Sequence, residues 1–133
     1  ALKMQVLVPS SATGDVDTNI SSKTAATLEL LKHNDFVICH FNGTDEAAHR
    51  YNYEEKARFI NQIDEEFLSV IMESYPEPLK IVVCGDHITS SVTGKHGRGK
   101  LPALAGLINA PARKIKLETY HDILNFLMKE GEA

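Results

Sequence analysis

Two apolar runs, DFVICHF at 35–41 and LKIVVC at 79–84, each run into a polar cluster and are separated by the clearest helical stretch in the chain. Runs that are apolar nearly throughout suit strands covered on both faces, which favours parallel central strands. Between them, residues 53–74 repeat apolar side chains at Ile60, Ile63, Phe67 and Val70 or Ile71, with acids, Lys and Arg elsewhere, and Pro76 and Pro78 stop the helix. A strand, a helix and a second strand in this order predict a parallel pair joined by a right-handed crossover.

The flanking segments extend the alternation. MQVLV at 4–8 reads as a short strand, and the polar SSATGDVDTN after it leads to a helix from Ser22 to Lys32. Asn19 or Ser21 would cap that helix, and Ala25, Leu28 and Leu31, with Leu30 beside them, would pack it against a sheet. LPALAGLI at 101–108 reads as a last strand, with helix as the alternative its alanines leave open. A C-terminal helix begins near Glu118 and carries Ile123, Leu124, Phe126 and Leu127, with Lys129 in its last turn. The expected fold is α/β: a single domain over residues 1–133, with a mostly parallel sheet and helices on both faces. A net charge of -4 argues against general nucleic-acid binding, and no stretch approaches the roughly 20 apolar residues of a membrane span. Cys39 and Cys84 fall inside expected strands, which suits a reducing, cytoplasmic setting.

In a parallel sheet, residues just past the strand ends share one edge, so the clusters after the two runs become neighbours. Asp45 and His49 are four apart, one turn on the same helix face if TDEAAH is helical. Asp86 and His87 follow IVVCG at a bend, and His96 lies nine positions on, in a glycine-rich and serine-rich loop. Imidazole mixed with carboxylate suits zinc, manganese or iron better than calcium, with zinc or manganese favoured, and two such ions about 3.5–4 Å apart would clamp a phosphoryl group. Each residue also has a plainer reading. Asp45 suits a helix N-terminus with His49 on the surface, and Asp86 suits a turn. His40, inside an apolar run, reads as a hydrogen-bonded core residue, and His33 and His121 read as surface. Lys95, Arg98 and Lys100 flank His96 and either bind phosphate or are simply solvated.

ATGDVDTN at 12–19, DFVICHFNGTDEAAH at 35–49, INQIDEEF at 60–67 and IVVCGDH at 81–87 resemble consecutive blocks of the cofactor-independent phosphoglycerate mutases of archaeal type, within the alkaline phosphatase superfamily. The resemblance implies part of an alkaline-phosphatase-like three-layer sandwich. It also implies two divalent ions, manganese or zinc, in a full-length parent that moves phosphate between the 2- and 3-hydroxyls of glycerate through a phosphoserine. Carried over, Asp45, His49 and His96 match the ligands of one ion, and Asp86 and His87 half the shell of the other. The remaining aspartate and the serine nucleophile belong to an N-terminal segment of the family, and Ser10, Ser11, Ser90 and Ser91 do not occupy the nucleophile's position. The chain then corresponds to the C-terminal part, holds one ion at most and is inactive alone. Its partners are the N-terminal segment of the same polypeptide and, in the parent, phosphoglycerate. A two-metal phosphatase or phosphodiesterase, or a non-catalytic metal-binding or interaction domain, are the competing readings.

Overall fold

A computed structural model describes residues 3–129. The chain divides into two compact units, Ala1–Ile71 with Thr89–Lys95, and Met72–Ile88 with His96–Ala133.

In the first unit, α1 (Ile20–Leu31) starts where Asn19 Oδ1 accepts the Ser22 N–H at 2.8 Å, the cap expected of an Asn at this position. Its buried positions are Ile20, Thr24 and Thr27, not the anticipated stripe, and Ala25 is exposed. The reason lies in Thr24. Its hydroxyl sits 2.9 Å from the Ile20 carbonyl and 2.8 Å from the Glu66 carbonyl, so a small polar face docks on the long helix without leaving a donor unpaired. Ala25 and Leu28 instead line an open groove with Glu66 and Val70.

Residues 53–74 are helical throughout, as their periodicity predicts: α3 (Tyr53–Ile63), a π turn over Asp64–Leu68, and α4 (Ser69–Ser74). At the π turn the Ser69 N–H reaches back five residues to the Asp64 carbonyl. The wider turn keeps Phe59, Phe67 and Ile71 on the inner side, while Ile60 is 49% exposed. Phe59 is 1% exposed, and its ring meets Phe41 edge-on at 6.3 Å between centroids; Phe41 in turn meets Phe67 at 5.2 Å. This aromatic trio is the centre of the first unit, and it sits directly beneath α2 (Gly43–His49), whose Ala47 and Ala48 are fully buried. Gly43 is obligatory there, because a Cβ would stand 2.6 Å from Phe59 Cε1 and 2.8 Å from the Val16 nitrogen.

Two expected strands do not form. MQVLV and DFVICHF carry neither helix nor strand, and Val6, Val8 and Ile38 are 82%, 73% and 62% exposed. A strand exists only through hydrogen bonds to a neighbour, and the described residues offer these two runs none.

The second unit is built on β1 (Leu79–Cys84), which pairs antiparallel with β4 (Ala103–Ile108) in a register running from Leu79 opposite Ile108 to Cys84 opposite Ala103. LPALAGLI is therefore a strand, and where a mostly parallel sheet is expected the described residues pair β1 with an antiparallel partner. β1 is half-buried for four residues and exposed at Val83 and Cys84, rather than covered on both faces. Two further strands have two residues each, β2 (Ile88–Thr89) and β3 (His96–Gly97). The last helix, α5 (Tyr120–Met128), opens on a reciprocal cap in which Thr119 Oγ1 accepts the Asp122 N–H and Asp122 Oδ2 accepts the Thr119 N–H at 2.8 Å. Phe126 of α5 is buried, with Lys80 of β1 and Arg113 stacked over its ring at 5.8 and 5.5 Å.

Candidate functional site

The first unit holds Asp45 and His49. GTDEAAH forms the short helix α2, so the spacing of four places both side chains on one face, with Asp45 Oδ2 3.3 Å from His49 Nε2. Their other polar atoms are engaged by the segment 89–95. Thr89, 5% exposed, donates its hydroxyl to Asp45 Oδ1. His49 Nδ1 lies 2.7 Å from the Gly94 carbonyl oxygen, which only accepts, so Nδ1 carries a proton and is the donor of this bond, and Nε2 is the nitrogen on the Asp45 side.

Asp86, His87 and His96 belong to the second unit. The His87 and His96 rings lie face towards face, tilted 33° with centroids 4.2 Å apart. Asp86 Oδ1 accepts the His87 N–H at 3.0 Å, and Oδ2 is 3.7 Å from His87 Nε2. The bend itself is tied to α5, since the Tyr120 hydroxyl lies 2.9 Å from the Gly85 carbonyl. Asp86 thus makes the local turn contact that an Asp after a strand offers, with 75% of its side chain in solvent.

Residues 2–124 match the Metalloenzyme superfamily. The chain belongs to that family. Among its relatives are proteins named 2,3-bisphosphoglycerate-independent phosphoglycerate mutase, from Saccharolobus solfataricus at 40% identity over 103 residues and from Methanococcus vannielii at 38% over 102. These alignments cover 77% and 76% of this chain, and the chain spans about a quarter of the length of the curated relatives it matches. A solved structure, the PH0037 protein from Pyrococcus horikoshii, superposes with a TM-score of 0.74 at 33% identity, covering 78% of this chain and 27% of that one. The fold is accordingly that of the Metalloenzyme superfamily, with the helices and small sheets described above.

The donor set fits the divalent ions this superfamily implies. Ligand atoms each about 2.0–2.2 Å from one tetrahedral ion stand about 3.4 Å apart, close to the 3.3 Å between Asp45 Oδ2 and His49 Nε2. Among the other histidines, His33 and His121 are on the surface as expected, His33 beside Glu29 at 3.5 Å. His40 is exposed, not core; the run that carries it is covered on the Phe41 side while Ile38 and His40 face solvent, and the His40 carbonyl is engaged by Lys23 Nζ at 2.7 Å. Lys95, Arg98 and Lys100 are solvated. Thr89, Gly94 and Lys56, whose ammonium holds the Thr89 carbonyl at 2.9 Å, went unnoticed in the sequence. Only Gly94 carried a signal, as a glycine in a loop.

Proposed function

We propose that this chain is the C-terminal, metal-binding portion of a cofactor-independent phosphoglycerate mutase that interconverts 2- and 3-phosphoglycerate in glycolysis. The observation that carries the reading is the Asp45–His49 pair, a carboxylate and an imidazole on one helix face with donor atoms 3.3 Å apart. The names and 38–40% identity of the archaeal relatives supply the substrate class. In this reading residues 1–133 form a single part of the metal-binding core, completed by an alkaline-phosphatase-like three-layer sandwich with a mostly parallel sheet in the parent. MQVLV and DFVICHF find their strand partners in that parent.

The ligand set is Asp45, His49 and His96 for one ion, and Asp86 and His87 for part of the shell of a second, the ions being manganese or zinc. When bound, such ions polarise phosphoryl oxygens and offset the charge of the transferring group. This chain's own contribution is to hold the ligand atoms in place. Asp45 is fixed by Thr89, His49 is held through Nδ1 by Gly94, and the GDH bend is moored to α5 by Tyr120. The nucleophilic serine of a phosphoserine route belongs to another segment of the polypeptide, so the chain alone lacks turnover. No helix among the described residues is long and apolar enough to cross a membrane, and both cysteines are free thiols, which suits a cytoplasmic enzyme.

The test is reconstitution. Residues 1–133 are joined to the remainder of the Saccharolobus relative, and conversion of 3-phosphoglycerate to 2-phosphoglycerate is followed by phosphorus NMR. Turnover that disappears in Asp45→Ala and Asp86→Ala is the expected result. A fusion that folds, binds manganese and leaves 3-phosphoglycerate unchanged, or only releases phosphate from it, contradicts the mutase reading.

A further inference from the structure

We infer that the segment 89–95 is the positioning element of the Asp45–His49 pair, with Thr89 as the residue that aims the Asp45 carboxylate at a divalent cation. The inference rests on the metal-site reading above and adds to it the part of the chain that sets ligand geometry.

One short segment controls one atom of each ligand. The Thr89 hydroxyl occupies Asp45 Oδ1, leaving Oδ2 as the oxygen directed towards His49 Nε2. The Gly94 carbonyl occupies His49 Nδ1, so that Nε2 is the nitrogen turned to the Asp45 side. A carboxylate rotates about its last bond with little resistance, and an imidazole offers either nitrogen. Without these two contacts the pair has several arrangements, of which only one presents Oδ2 and Nε2 together.

The segment is rigid enough for this task because it is closed and anchored. Ser90 N–H bonds the Lys95 carbonyl at 3.0 Å, and Gly94 N–H bonds the Ser90 carbonyl at 2.8 Å. Ser90 Oγ accepts the Val92 and Thr93 amides at 3.2 and 3.3 Å. Lys56 of α3 grips the Thr89 carbonyl at 2.9 Å, so the segment is fixed to the same helical layer that supports α2. Gly94 adopts φ +63° against Tyr51, where a Cβ would lie 2.9 Å from the ring. Thr89 is buried, and its hydroxyl donates to a ligand candidate, Asp45. Groups that orient metal ligands in this way typically set affinity by about 10–100-fold.

The experiment titrates Mn2+ into the chain by calorimetry for the wild type, Thr89→Val, Thr89→Ser and Asp45→Asn, with thermal unfolding of each metal-free protein alongside. Val keeps the shape and removes the hydroxyl; Ser keeps the hydroxyl and removes the methyl. Expected is a loss of about 10–100-fold in affinity for Thr89→Val, recovery to within about threefold for Thr89→Ser, and no measurable binding for Asp45→Asn. A purely packing role for Thr89 gives the reverse order, with Ser the worse variant, and overturns the inference. Thr89→Val binding like the wild type while Asp45→Asn fails also overturns it and leaves the metal site standing. Wild-type binding retained by Asp45→Asn, or no Mn2+ bound by the wild type, removes both. Should Thr89→Val not fold, Lys56→Met, which releases the segment from α3, takes its place: weakened binding supports the inference and unchanged binding overturns it.

Discussion

Replacing Gly43 with Ala is the sharpest probe of how the fold carries the site. Gly43 opens α2, two residues before Asp45, and its missing side chain is where Phe59 and the 15–16 backbone close in. A Cβ would lie 2.6 Å from Phe59 Cε1, 2.8 Å from the Val16 nitrogen and 2.9 Å from the Asp15 carbonyl carbon. The ring is 1% exposed and has no room to retreat, and two of the three contacts are backbone, so the helix itself must move. Overpacking of this kind costs about 1–3 kcal/mol, and the rigid neighbours place it at the upper end. Better helix propensity returns at most about 1 kcal/mol. The net loss of about 2 kcal/mol lowers Tm by about 8–16 °C for a unit of this size. Gly14→Ala is the matched control, because a Cβ there meets nothing within 4 Å. Thermal melts followed by circular dichroism compare the two. A Gly43→Ala protein that melts with the wild type, or above it, refutes the packing argument for how α2 is seated.

Acid dependence should follow the Asp15–Arg50–Glu55 cluster. Arg50 donates to both Asp15 oxygens at 2.8 Å and to Glu55 at 2.9 Å, and the guanidinium, aided by the Val16 amide, holds the Asp15 carboxyl below its ordinary value of 3.8. A lowered pKa contributes stability above the unfolded value, which is lost as pH falls through the folded one. The wild type should therefore exceed Asp15→Asn in urea midpoint at pH 7, with the gap narrowing as pH falls below 3.8; a gap independent of pH contradicts this. Burial raises the Cys39 thiol, whereas Cys84 is exposed. Iodoacetamide at pH 8 should modify Cys84 well before Cys39, and equal rates would show that the 35–41 run is more open than described.

Helices were legible and strand partners were not, for a physical reason. The period of residues 53–74 fixes a helix, but Phe59 and Ile60 are adjacent apolar positions, and it takes tertiary neighbours such as the Phe41 ring and Gly43 to decide that Phe59 turns inward. An apolar run such as DFVICHF records a tendency to be covered. It says nothing about which strand covers it or in which direction, and β1 with β4 shows the direction coming out antiparallel. Asp45 and His49 were readable because ligand spacing coincides with helix pitch. Thr89 was not, because a hydroxyl 44 residues away along the chain leaves no periodic trace.

The central claim is that the Asp45–His49 pair holds a metal. Its most direct test is elemental analysis of the chain after loading with zinc or manganese and gel filtration, beside Asp45→Ala and His49→Ala. About one equivalent in the wild type, lost in both variants, is the expected result. Equal metal in all three proteins, or none in the wild type, contradicts it.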